Sequence, residues 1–230
     1  MASKGLFITG TGTGVGKSVV AAAIAASLTA KGHRVAAFKP AVSGLDEPTP
    51  GWPMDHELLA QATGWQAPEQ VTPHTFGPPV SPHLAAAQIG TTITLDQLIT
   101  AYSAATEGTD AAIVEGVGGL LVPLSDDPDL SVLDFVKAIA LPVVVATHPG
   151  LGTISDTRLT VDRLDQEGLA VAAVVISGWP AEPNEIERSN LDTLARLLGV
   201  DVATLPVTAP DRLAEDAKGL PAERWLRARA

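Results

Sequence analysis

The 230-residue chain reads as α/β: one doubly wound, mostly parallel sheet with helices on both faces. Three observations predict this. The segments that read as strands are continuous apolar runs rather than alternating ones, the mark of strands covered on both faces. They alternate with helical segments, as right-handed parallel βαβ units require. The first run leads straight into a glycine-rich stretch, GTGTGVGKS, that opens a helix.

Taken in order, GLFITG (5–10) is a buried strand, and KSVVAAAIAASLTAKG (17–32) is an Ala-rich helix stopped by Gly32. RVAAFKP is the second strand, closed by Pro40 and followed by a Pro- and Gly-rich loop. DHELLAQATG (55–64) is a short helix with Asp55 as its N-cap, and the proline-rich stretch 66–83 is mostly irregular. TLDQLITAYSAATEG is a helix capped by Thr94, DAAIVEG is a strand, and GLLVPL is a short extended piece. DLSVLDFVKAIA (129–140), TISDTRLTVDRLDQEG and EPNEIERSNLDTLARLLG are helices; LPVVVATHPG, LAVAAVVISGWP and DVATLP are strands. APDRLAEDAKG (209–219) is a last helix. Residues 1–230 thus form one domain, with 221–230 as a C-terminal tail.

A chain that is 46% apolar can bury a sizeable core at this length. The net charge of −11 repels nucleic-acid phosphate and anionic membranes, and 4% aromatic residues offer little for base stacking. No cysteine is present, so thiolate nucleophiles, disulfides and Cys-bound zinc are excluded. The N-terminal apolar run is too short for a secretion signal, and no stretch suits a membrane span. The expected setting is cytoplasmic, without nucleic-acid or membrane partners.

The glycine-rich stretch departs from the common pattern G-x-x-x-x-G-K-[ST], which wants glycine at position 11; here Thr11 stands there and Gly10 falls one place early. Strand, loop, G-K-S and helix still coincide, so the chain reads as a single-domain P-loop NTPase. Backbone N–H groups and the helix N-terminus would cradle phosphate, Lys17 would reach the β- and γ-phosphates, and Ser18 would ligate Mg²⁺. In open α/β sheets ligands collect at the carboxyl ends of strands. Lys39 and Glu115 both end strands, and Glu115 could hold Mg²⁺ beside the flexible run Gly116, Val117, Gly118 and Gly119. Asp55 is explained by capping alone, with a metal-side role open to it. Gly150 and Gly152, with the N–H groups of Thr153 and Ile154, could bind an anion such as a carboxylate; a glycine turn capped by Thr153 or Ser155 fits equally well. His148 reads as a loop residue.

Four motifs in this order and spacing, TGTGTGVGKS, KPAVSG, VEGVGGLLVPL and HPGLGTISDTRLT, resemble the dethiobiotin synthetases. Together they cover most of the chain. The resemblance implies an ATP- and Mg²⁺-dependent ligase of biotin synthesis that joins CO₂ to 7,8-diaminononanoate and closes a ureido ring. It implies ATP contacts from Thr13, Gly14, Val15, Gly16, Lys17, Ser18 and Val19, and from Gly116 to Gly118. Further nucleotide contacts are implied at Ser177, Gly178, Pro206 and Val207. It assigns charge stabilisation to Lys17 and Lys39, Mg²⁺ to Ser18, Asp55 and Glu115, and substrate contact to Ser43. Gly150, Leu151, Gly152, Thr153 and Ile154 would take the substrate carboxylate across a homodimer interface. Many family members carry Asn where this chain has Ser177-Gly178, which implies looser base selectivity.

Other readings fit less well. A regulatory ATPase of the chromosome-partitioning type carries lysine where this loop has Gly12, and tends to basic or amphipathic surface. A small-molecule kinase usually brings an arginine-rich lid, and residues 35–157 contain no arginine. A non-enzymatic nucleotide-binding module would have no use for Lys39 and Glu115 at those strand ends.

Overall fold

The computed structural model describes residues 4–126 and 129–228. In chain order the elements are β1 (Gly5–Gly10), α1 (Lys17–Ala30), β2 (Val35–Phe38), α2 (Asp55–Thr63), α3 (Pro68–Val71), α4 (Pro82–Gln88), α5 (Leu95–Thr106) and β3 (Ala111–Glu115). There follow β4 (Pro123–Asp126), β5 (Asp129–Ser131), α6 (Val132–Ile139), β6 (Val143–Thr147), α7 (Thr153–Gln166), β7 (Val171–Trp179), α8 (Glu185–Leu197), β8 (Asp201–Pro206), α9 (Leu213–Asp216) and α10 (Ala222–Trp225).

Six strands form a parallel sheet in the order β2-β3-β1-β6-β7-β8, with β1 near its middle. The chain moves out to β2, returns through β3, and crosses to the far side at β6. That reversal puts the crevice for a ligand at the carboxyl ends around β1. The strands are apolar on both sides because both sides are covered. Leu6, Ile8, Ile113 and Val144 pack with α1, α2, α9 and α10. Phe7, Val114, Val145 and Val174 pack with α4, α5, α6 and α7. Four residues of the central β1 (Leu6, Phe7, Ile8 and Thr9) are fully buried.

Several boundaries differ from expectation, each for a local reason. Asp55 is the first residue of α2 rather than its cap: Met54 holds the cap position, and its N–H donates to Glu57 Oε2 at 3.0 Å. The segment 129–140 is helical only from Val132, because Ser131 accepts from the Asp134 N–H and ends the short antiparallel pair β4–β5. The proline-rich stretch contains α3 and the start of α4, and both helices have proline in the first turn, where a missing N–H costs nothing. The helix expected over 209–219 shrinks to α9, Leu213–Asp216, after a turn closed by Arg212 N–H to Ala209 O, and α10 follows it. In the terminal segment, Trp225 is buried and donates from its indole to Asp201; residues 229–230 lie outside the described residues.

Candidate active site

The phosphate loop joins β1 to α1, and its geometry accounts for the displaced glycine. A Cβ on Gly10 would meet Val15 Cγ2 at 2.7 Å and Lys17 Cγ at 2.8 Å, so glycine is demanded one place early. Thr11 needs no such freedom: its N–H continues the β1–β6 pairing to Ala146 O at 3.1 Å, and its hydroxyl lies 3.3 Å from that of Thr147. The cap residue of α1 is Gly16, in the left-handed region at φ 86°, with no side-chain cap and no acidic residue in the first turn. The first N–H groups of α1 therefore face the loop without an internal partner. A Cβ on Gly16 would stand 2.3 Å from Ser177 Oγ, so the loop rests directly on the end of β7. On its other side, Gly118 and Gly119 lie against Thr13 and Gly12.

Below the loop, the predicted charged residues converge. Lys39, from the end of β2, donates to Asp55 Oδ2 and to Glu115 Oε1, each at 2.5 Å. Ser18 in the first turn of α1 donates to the same Glu115 oxygen at 2.7 Å. Lys39 is 3% exposed and Glu115 0%, so that pair lies inside the protein, while the Asp55 side chain is half-exposed. Burial disfavours the Lys39 cation, but Glu115 and Asp55 outweigh it and hold the ammonium above the usual lysine range. Burial also works to raise Asp55, yet its contact with Lys39 brings the carboxyl below the usual range. Burial pushes Glu115 up, against the pull of Lys39. Lys17 is lowered by burial, and its ammonium folds back onto Gly12 O at 2.8 Å.

Glu115 Oε2 is buried with no hydrogen-bond partner among the described residues. An orphaned carboxylate oxygen beside a serine hydroxyl and a second carboxylate is an all-oxygen donor set that fits Mg²⁺, which needs few protein ligands when phosphate and water complete its shell. Ser18, Asp55 and Glu115 are the residues that could hold it.

Ser43 sits on a loop that the proline-rich segment secures. Val42 N–H donates to His74 O at 2.9 Å, Phe76 N–H to Val42 O at 2.8 Å and Leu45 N–H to Phe76 O at 3.2 Å. Ser177 is 8% exposed, its side chain under Gly16, and Gly178 has no side chain to offer. Val207, past the end of β8, is 72% exposed and ties back to Trp179 O.

The second glycine turn, Gly150 to Ile154, opens α7. Its cap is Gly152, again left-handed at φ 93° and again without a side-chain cap. Asn190 of α8 donates to Pro149 O at 2.8 Å and Gly150 O at 3.0 Å. Leu151 is 78% exposed, and a groove of about 590 Å³ runs beside it along α7; none of its lining residues comes from the phosphate loop. Sequence reasoning missed Asn190 and the buried hydroxyls of Thr147 and Thr157. Thr11, standing where glycine was expected, was the one available signal.

Known proteins resemble this chain in sequence and in fold. A family model described as an AAA domain matches residues 4–209. The ATP-dependent dethiobiotin synthetase BioD of Anaeromyxobacter dehalogenans (strain 2CP-1) is 39% identical over 94% of this chain and 95% of its own. That of Rhodococcus jostii (strain RHA1) is 38% identical over 96% and 94%, and that of Bacillus subtilis (strain 168) 35% over 86% and 85%. A nucleotide-binding protein from Archaeoglobus fulgidus, solved with ADP, shares the fold at TM-score 0.50 and 15% identity, over 97% of this chain and 90% of that one. With the lysine–carboxylate cluster below its phosphate loop, the chain belongs to the family of ATP-dependent dethiobiotin synthetases.

Proposed function

We propose that this chain carboxylates 7,8-diaminononanoate and closes the ureido ring of dethiobiotin, with ATP and Mg²⁺, through the residues assembled around the phosphate loop. One amine adds to CO₂ and loses a proton, giving a carbamate. A carbamate oxygen attacks the γ-phosphorus, and ADP leaves. The second amine attacks the carbamoyl carbon, phosphate leaves with the bridging oxygen, and the ring closes.

An anion attacks a polyanion here, so charge must be neutralised where it develops. Thr13 to Val19 cradle the phosphates with backbone N–H groups, and Gly116 to Gly118 line the opposite side. Lys17 leaves Gly12 O for the β- and γ-phosphates. Lys39 balances the carbamate and the phosphoryl group in transfer. Mg²⁺, when bound, lowers the charge on the phosphate oxygens. Until then Asp55 and Glu115 hold Lys39 in place, so the cation is stored at the point of need. No protein nucleophile is required, in keeping with a cysteine-free chain.

Ser43 contacts substrate in this reading. Ser177, Gly178, Pro206 and Val207 border the base. The uncapped turn Gly150, Leu151, Gly152, Thr153 and Ile154 receives the substrate carboxylate across a homodimer interface. The exposed Leu151 and Leu159 beside the groove support such an interface. We place the reaction in the cytoplasm; no described helix is long and apolar enough to cross a membrane.

The observation that carries the reading is Lys39 held between Asp55 and Glu115 beneath the phosphate loop. The test is to incubate the protein with diaminononanoate, bicarbonate, Mg²⁺ and ATP and to search for dethiobiotin by mass spectrometry. Product and diamine-dependent phosphate are expected. Phosphate release that ignores the diamine, with no product, would overturn it.

A further inference from the structure

Four threonine hydroxyls meet where the phosphate loop, β6 and α7 join. Thr147, the last residue of β6, is the centre: its Oγ1 lies 2.7 Å from Thr153 Oγ1, 3.1 Å from Thr157 Oγ1 and 3.3 Å from Thr11 Oγ1. Thr147, Thr153 and Thr157 are each fully buried. A hydroxyl has one proton and two lone pairs, so three partners saturate Thr147. The strand reaches this point as VVVAT, and a further valine here would leave the hydroxyls of Thr153 and Thr157 without this partner. Hydroxyls buried there must be paired to be tolerated, and what they add over methyl groups is direction.

That direction acts on α7. Thr153 and Thr157 lie one turn apart on the same face, so two bonds to one atom set both the rotation and the depth of the first turn. Thr11 ties the same atom to the phosphate loop. Asn190 draws the Pro149 and Gly150 carbonyls back from the other side. Between them the uncapped N–H groups after Gly152 have one orientation.

We infer that Thr147 is a positioning residue for the substrate carboxylate, acting through Thr153 and Thr157 on the N-terminus of α7. This rests on the reading that α7 receives that carboxylate. In the dimer of that reading, the same hydroxyl links the phosphate loop of one active site to the carboxylate site of the other.

The test pairs an enzyme change with a substrate change. Thr147→Val and Thr147→Ser are compared with wild type on 7,8-diaminononanoate and on 2,3-diaminooctane, the same diamine without the carboxylate. Losing one directed hydrogen-bond centre predicts that Thr147→Val raises the diaminononanoate KM about tenfold. The diaminooctane KM and the melting-corrected kcat stay close to wild type, and Thr147→Ser restores the lost affinity. The nucleotide KM moves less, because Thr11 keeps its backbone bond to Ala146. An equal KM rise on both diamines would overturn the inference and leave the carboxylate reading standing. A wild type indifferent to the carboxylate would overturn both. If Thr147→Val does not fold, Thr157→Val decides by the same comparison: a carboxylate-specific rise supports the inference, and an equal rise or none refutes it.

Discussion

Two groups of helices in this protein begin in contrasting ways. α5, α6 and α8 are sealed: Thr94, Ser131 and Asn184 accept from the N–H three residues on, and Gln97, Asp134 and Glu187 reach back in return. α1 and α7 are open: each begins after a left-handed glycine, Gly16 or Gly152, with no side-chain cap. The contrast is not one of place alone, because α8 also follows a strand of the main sheet and is sealed. A side-chain cap is worth about 1 kcal/mol, so an open end gives up stability. α2 and α4 also lack a side-chain cap bond, but among the described helices α1 and α7 are the two that begin after a left-handed glycine, and theirs are the first N–H groups the proposed reaction needs, for phosphate at α1 and for carboxylate at α7.

The largest effect should come from the cations beneath the open end of α1. Lys17→Ala and Lys39→Ala are each expected to fold, by circular dichroism, and to lower kcat about a thousandfold or more. The Lys39 variant remains foldable because Glu115 keeps Ser18 and can take up a proton. Near-normal turnover in Lys39→Ala would remove it from the mechanism. Next comes closure of the open end itself. Gly16→Ala strains a positive φ and drives a methyl into Ser177, and should cut kcat/KM for nucleotide by about tenfold to a hundredfold. Adding Ser177→Gly removes the contact but not the strain, so partial recovery is expected; full recovery or none would show that one of the two causes is misassigned.

A sealed end should behave in the opposite way. Asn184→Ala is expected to lower Tm by about 2–4 °C and leave every KM unchanged. A shift in KM would mean that the start of α8 belongs to the site and that the contrast fails. The smallest effect concerns the base. Ser177 is occupied under Gly16 and Gly178 is bare, so no side chain at that position reads the base edge. Values of kcat/KM for ATP, CTP and GTP should then fall within about tenfold of one another. A strong preference for ATP would contradict this.

The sheet was legible because its strands are unbroken apolar runs and its turns are marked by glycine and proline. The convergence of Ser18, Lys39 and Glu115 was legible because the loop after β1 and the ends of the parallel strands β2 and β3 meet at one edge. Asp55 was only half legible. A carboxylate at the start of a helix suits a cap, and the structure instead spends it on Lys39, sixteen residues away. The proline-rich segment was opaque, since its work is done by main-chain N–H and C=O groups that hold the Ser43 loop and carry no residue signature. Thr147 was opaque for a related reason: its partners are 6, 10 and 136 residues distant, and threonine at a strand end is otherwise unremarkable.

The central claim is that a carbamate held beside Lys39 attacks the phosphate presented by the open end of α1. Its most direct test follows oxygen. With bicarbonate and CO₂ carrying heavy oxygen, in ordinary water and sampled before the label washes out, ADP formation should be matched by released phosphate bearing heavy oxygen. The label enters when the carbamate oxygen bonds to phosphorus, and it stays when the ring closes. Phosphate free of label would mean that water, not carbamate, attacks phosphorus, and the account would be wrong.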